Sequence, residues 1–403
     1  MSGGSSPSSS EWIDALLAPA GQALLDELAQ NPPTRDTEIA VITRLRERYD
    51  PALVSAAVEQ AALRVRAQSK FSHAARMYFT RAGLEQASSE RMARHHARRY
   101  ASFSRIADLC TGIGGDLIGL AADREVLAVD IDPVHARLSE LNAAANGVGG
   151  SVTVLRADVK DVTLDNVGAV FVDPARRSSD RRFSAGASEP ALSWCFSLAE
   201  RGLAVGIKAA PGLPTDLVPS GWELEFVSEQ RELKESALWS PSLATTGRRA
   251  TLLPHGETLV ERRGAHLGVE APGRYLIDPD PAITRAGLVK ELGESLGECW
   301  QIDETIAFLS ANADLRTPFG RTLVVEASEP WGLTRLKQVL RALDVGTVDI
   351  RKRGSAVDVD ELQRRLKLTG SRAATVVLTR AGGRPWMLVC FEPNETRLAG
   401  AGI

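Results

Sequence analysis

Short apolar runs recur at 105–109, 126–130, 152–156, 169–173, 203–208 and 224–227, with helix-length segments between them. A run that is apolar throughout, rather than alternating, suits a strand buried on both faces, and such strands belong to parallel sheets covered by helices. The βαβα order therefore predicts an α/β chain on a doubly covered, Rossmann-like sheet, with 249–253 closing it.

The rest of the chain is arranged around that sheet. Residues 1–10 are rich in Ser, Gly and Pro and are expected to be a disordered tail. Residues 11–100 carry helical periodicity throughout, as in Ile13, Leu16 and Leu17 and in Leu53, Val54, Ala57, Val58 and Ala61, which predicts an N-terminal helical domain. The sheet domain is expected over 101–262. Residues 254–272 mix Gly, Pro and charge without a period and mark a boundary. A further α/β domain is expected over 273–395, with helices at 282–296, 332–343 and 358–368 and strands at 322–326, 347–351, 374–379 and 386–391. A length of 403 residues accommodates two or three such units.

Composition excludes several function classes. With 48 Lys and Arg against 51 Asp and Glu, the formal charge is −3, so any contact with nucleic acid must come from a local basic patch. No stretch is apolar enough to span a bilayer and the N-terminus has no secretory pattern, so the expectation is a soluble cytoplasmic protein without membrane contact. The four cysteines are scattered without a CxxC pair and read as small hydrophobes. His95 and His96 are adjacent and cannot chelate as an i, i+4 pair, and the HxE triplet at His255 lacks the PCxxC that a deaminase zinc site needs. No metal is expected.

The sharpest local signal is Asp108-Leu-Cys-Thr-Gly-Ile-Gly-Gly-Asp116, placed between a strand and a helix. Glycines in such a turn let backbone N–H groups approach a ligand closely. Asp130 ends the next strand twenty-two residues later, where a doubly wound fold sets a carboxylate beside a ribose. A dinucleotide fingerprint would need Gly or Ala where Leu117 stands, and Asp108 would repel a pyrophosphate. It suits a ligand with an ammonium or sulfonium group, and S-adenosylmethionine carries both. Asp158, after the third run, is placed to read the adenine amino group. Further along, 170–173 end in Asp173-Pro174 at the sheet edge where α/β proteins bind substrates. Asp173 and the Pro174 carbonyl are suited to accept hydrogen bonds from an amino nucleophile, orient its lone pair and take its proton.

These residues carry a resemblance. Asp108–Asp116, the segment Val129-Asp-Ile-Asp-Pro133 and Asp173-Pro174 are similar to class I S-adenosylmethionine-dependent methyltransferases, in forms that resemble the trimethylguanosine synthase group. Residues 79–88 sit where that group has its sequence ahead of the core. Residues 279–287 and 350–354 resemble the THUMP-like domain that follows such enzymes in bacteria. The resemblance implies cofactor-binding roles for Asp108, Thr111, Gly112, Gly114, Gly115, Asp130, Ile131 and Asp158, and catalytic roles for Asp173 and Pro174. It departs from the family where an aromatic normally follows the D/N-P-P motif: Ala175 and Arg176 stand there, so cap-guanine specificity is not implied.

Arg176, Arg177, Arg181 and Arg182 cluster after Asp173, with Phe183 beside them. A loop of this kind suits phosphate contacts, with Phe183 or Trp194 as stacking platforms and Lys208 at the next strand end as a further phosphate contact. The string Arg351-Lys352-Arg353 serves equally as a solvated strand end or an RNA contact. The expected function is methyl transfer from S-adenosylmethionine to a base nitrogen in RNA. The rivals are a methyltransferase for protein or small molecules, and a non-catalytic RNA-binding sensor of the cofactor.

Overall fold

The computed structural model describes residues 10–34, 36–176 and 188–393, which form two compact units: 1–222 with 237–245, and 223–236 with 246–403. The expected tail at 1–10 lies almost wholly outside the described residues.

The first unit opens with helices α1 (Glu11–Leu17), α2 (Pro19–Gln30), α3 (Glu38–Arg46), α4 (Pro51–Ala67), α5 (Arg81–Gln86) and α6 (Glu90–Arg98). Side-chain caps fix several starts: Asp50 accepts from Ala52 and Leu53 ahead of α4, Thr80 from Gly83 ahead of α5, and Ser89 from Met92 ahead of α6. Residues 71–80, expected to be helical, hold only a single short turn, Ala74–Arg76. Two side-chain amides, those of Gln60 and Asn142, hold that backbone instead. Gln60 on α4 both donates to and accepts from Phe79, at 3.0 and 2.9 Å, as a ladder partner would.

The sheet follows: β1 (Arg105–Leu109), α7 (Gly115–Leu120), β2 (Glu125–Asp130), α8 (Pro133–Ala145), β3 (Val152–Arg156), β4 (Ala169–Val172), α9 (Leu192–Glu200) and β5 (Ala204–Ala209). Strand order is β5-β4-β1-β2-β3, parallel at every pairing. β4 is buried along its whole length, which accounts for its unbroken apolar sequence, and β1 in all but its first residue, with Asp108 the one charged side chain buried in it. β3, at the edge, is half-exposed. Beneath the sheet Tyr100 donates to the Val170 carbonyl at 2.9 Å and stacks edge-on with Phe171 and Trp239. Gly206 must stay a glycine there, because a Cβ would lie 2.3 Å from the Tyr100 hydroxyl oxygen and 2.6 Å from the Trp239 ring.

In the second unit, Glu223–Glu229 pairs in parallel with Arg248–Leu253, and Glu257–Val260 adds an antiparallel strand beyond it, inside the stretch where a boundary was expected. A separate seven-stranded sheet takes the order Trp300–Gln301, Leu309–Ala311, Tyr275–Pro279, Gly320–Pro330, Arg384–Phe391, Arg372–Ala381, Val345–Lys352. Helices Leu333–Ala342 and Val359–Leu366 cover one face through Leu336, Leu340, Leu362 and Leu366. The helix expected over 282–296 is two, Pro281–Ala286 and Val289–Leu296, because Gly287 adopts φ +72° and ends the first. No described helix is long and apolar enough to cross a membrane.

Candidate active site

The glycine turn lies at the carboxyl end of β1. Cys110 is forced to φ +63°, Gly112 to +57° and Gly114 to +85°, so the chain reverses tightly and enters α7. A Cβ on Gly114 would press on Ser139 Cα at 3.2 Å. A Cβ on Gly112 would meet nothing within 4 Å, which leaves open space directly against the backbone. Gly115 is pinned from the other side, since its Cβ would lie 3.0 Å from the Ala87 methyl.

Two carboxylates hold the turn in different ways. Asp130 accepts from Gly112 N at 2.8 Å through Oδ2 and from Asp132 N at 2.9 Å through Oδ1, tying the ends of β1 and β2 together. Oδ1 is also faced by His135 Nδ1 at 3.8 Å, while Oδ2 keeps a second lone pair for a ligand hydroxyl. Asp132 caps α8 through Val134 and His135, with Pro133 at its first position, so the Asp-Ile-Asp-Pro run builds a helix start as well as a site. Ile131, between the two acids, is 65% exposed and so presents an apolar surface beside Asp130. Asp108 is 1% exposed and accepts from Thr111 Oγ1 at 2.6 Å through Oδ2, while its Oδ1 is buried without a partner. Burial pushes its carboxyl up to about 8 despite the Thr111 bond, and Asp116 and Asp173 nearby add to the rise.

Asp173 follows β4, its N–H bonded to the Leu109 carbonyl at 3.1 Å, so it stands one strand over from Asp108. Its side chain is 33% exposed, Pro174 is buried and Ala175 is exposed. Lys208, in β5, donates to Asp173 Oδ2 at 2.8 Å and lies 3.6 Å from Asp116 Oδ2. An ammonium so engaged differs from the phosphate contact expected of it. Asp116 also accepts from His96 Nδ1 at 2.8 Å and Ser88 Oγ at 2.8 Å. Burial opposes its ionisation, yet Lys208, His96 and Ser88 together hold it well below the usual carboxylate range.

Asp108, Thr111, Gly112, Gly114, Gly115, Asp130, Ile131 and Asp173 thus gather at the carboxyl ends of β1, β2 and β4. Asp158 follows β3 and is half-buried, accepting from Lys160 N at 3.0 Å. Trp194 is half-buried in the first turn of α9. Arg177 and Phe183 fall outside the described residues, as does the side chain of Arg176. Sequence reading gave no site role to Asn142, to Ser88 within the 79–88 segment, or to His96, considered there only as a metal ligand. Asn142 donates to the Tyr78 and Ile113 carbonyls at 2.9 and 2.8 Å and accepts from Tyr78 N at 2.8 Å, clasping residue 78 to the glycine turn. Of the basic string, Arg353 is held by Asp278 and Thr284, each at 2.9 Å, and lies over the Phe308 ring. Among the described residues no cluster of His, Cys, Asp or Glu is arranged to hold a metal ion.

Comparison with known proteins defines the class. Two curated relatives from Mycobacterium tuberculosis strains, CDC 1551 and H37Rv, are each described as an uncharacterized S-adenosylmethionine-dependent methyltransferase. Each is 39% identical over 340 residues, spanning 81% of this chain and 92% of the relative. The chain belongs to the S-adenosylmethionine-dependent methyltransferases. A crystal structure from Porphyromonas gingivalis W83, described as a candidate methyltransferase, shares the fold with a TM-score of 0.76 at 22% identity, covering 96% of this chain and 99% of that one. A family model described as THUMP domain-like matches residues 320–392, and one described as a domain of unknown function matches residues 10–67.

The residues present fit the cofactor. The orphaned Asp108 Oδ1, the open space against Gly112 and the uncovered Ile131 are what an ammonium-bearing nucleoside requires of a protein wall.

Proposed function

We propose that this enzyme methylates a base nitrogen in RNA, with Asp108, Thr111, Gly112, Gly114, Gly115, Asp130, Ile131 and Asp158 holding the cofactor and Asp173-Pro174 the acceptor. The observation that carries the reading is the placement of Asp173 beside the glycine turn, on the strand neighbouring Asp108. When bound, S-adenosylmethionine supplies a methyl group on a positively charged sulfur, so the protein need offer no covalent help. Asp108 balances the ligand's cations, Asp130 takes ribose hydroxyls, and Ile131 covers the adenine. Asp173 accepts the N–H of the incoming amine, turns its lone pair towards the methyl and receives the proton released.

RNA as acceptor is supported by the THUMP-like match and by the exposed Arg351 and Lys352 in the strand Val345–Lys352 of that region. Arg176, Arg177, Phe183 and Trp194 are proposed to line the path of the strand. The test is transfer of tritiated methyl groups from S-adenosylmethionine to the RNA, protein and metabolite fractions of a strain lacking the gene. Label should enter RNA and emerge on nuclease digestion as an N-methylated base. Label confined to protein or metabolites overturns the RNA reading.

A further inference from the structure

Asp173 lies at the end of a strand with a third of its side chain exposed, where an aspartate ordinarily samples several rotamers. Here one oxygen is pinned. The Lys208 ammonium donates to Oδ2 at 2.8 Å and to the Gln86 carbonyl at 3.3 Å, and lies 3.6 Å from Asp116. Asp116 is itself fixed by His96 and Ser88, and the His96 ring, with no exposure, packs at 4.9 Å from Phe171, two residues before Asp173 in the chain. A line of alternating contacts therefore runs from Asp173 through Lys208 and Asp116 to His96 on α6.

Burying several charges is costly unless the geometry repays it, and a lysine carries about 2 kcal/mol of rotamer entropy that this one gives up. A flexible phosphate contact needs neither. Lys208 is 12% exposed and sits between two carboxylates and a carbonyl, which leaves it suited to hold an acid rather than to receive an anion.

We infer that Lys208 is a positioning residue for methyl transfer: it fixes the Asp173 carboxylate against the acceptor, and the Asp116–His96 pair beneath the glycine turn anchors it. α6, outside the sheet, thereby contributes to the catalytic geometry. The inference rests on the reading of Asp173 as the acceptor acid.

The experiment compares the full chain with its Lys208→Met, Lys208→Arg and Asp173→Asn variants. Methyl transfer to total RNA from a strain lacking the gene is followed, and cofactor binding by calorimetry reports that each variant is folded. A misplacement of about 1 Å at a reacting group costs about 10²-fold. Lys208→Met should therefore lower kcat by about that factor, with KM for RNA and Kd for the cofactor nearly unchanged, and Lys208→Arg should recover part of the loss. A rise in KM at constant kcat would make Lys208 a phosphate contact and overturn the inference. Wild-type kcat in Lys208→Met with Asp173→Asn inactive overturns the inference alone. Full activity in Asp173→Asn, or no transfer to RNA by the unmodified enzyme, overturns the proposed function and this inference with it.

Discussion

Replacing Asp108 with Asn separates two roles of one buried acid. Burial raises its carboxyl from the ordinary 3.8 to about 8. A group raised in this way adds most stability below 3.8, and the contribution is lost as pH climbs through the folded value. At about 1.4 kcal/mol for each pH unit above 3.8, keeping Asp108 protonated at pH 7 costs about 4 kcal/mol. Asn has the same shape and no such cost, although its amide must find a partner beside Thr111, which offsets about 1–3 kcal/mol. The variant should therefore melt at a higher temperature than the parent at pH 7, with the difference shrinking as pH falls and reversing towards pH 4, where the parent's cost is gone and the amide's is not. Its cofactor affinity should fall 10- to 100-fold in rough terms, the value of a charged hydrogen bond. At pH 7 a group titrating near 8 is about nine-tenths protonated, so cofactor capture by the parent should release close to one proton from Asp108, and the variant should release none from this site. Calorimetry in buffers of different ionisation enthalpy measures this. A variant that loses stability equally at pH 4 and pH 8, with unchanged proton release, would refute the reasoning.

Other perturbations test the scaffold and the walls of the site. Gly206→Ala drives a methyl into Tyr100 and Trp239, both fully buried, and should cost about 1–3 kcal/mol in a urea melt; a neutral result would show that the aromatic cluster yields. Asn142→Ala strips the Tyr78 N–H and the Tyr78 and Ile113 carbonyls of a buried partner, and should cost about 2–5 kcal/mol while speeding amide exchange at Tyr78. Ile131→Asp should leave the melting temperature alone and weaken cofactor binding about tenfold, as loss of one apolar contact implies. Unchanged affinity in that variant would remove Ile131 from the cofactor wall.

The features legible in the sequence were those written locally. β4 shows as an unbroken apolar run, and β1 as a largely apolar one, because both faces are buried, and the glycine turn is visible because Gly112 and Gly114 need positive φ within a few residues of Asp108. Asp130 is legible from its distance along one βαβ unit. The strand Glu232–Trp239 was not, since its first residues, Glu-Leu-Lys-Glu, are charged and resemble a surface turn. The break at Gly287 was hidden inside a pattern that stays in phase across it. The Asp116–His96 contact joins residues twenty positions apart, and it depends on α6 pressing against α7 at Gly119, where a Cβ would lie 2.5 Å from the Ala93 carbonyl carbon. No local pattern encodes such an approach. The same holds for Asn142 and Gln60, whose amides replace a ladder for residues 78 and 79 from elements distant in the chain.

A crystal structure with bound S-adenosylhomocysteine tests the central claim most directly. The ligand's ammonium should lie within hydrogen-bonding distance of Asp108 Oδ1, its ribose on Asp130, and its sulfur towards Asp173. A nucleoside seated elsewhere, or one whose sulfur faces away from Asp173, would contradict the account.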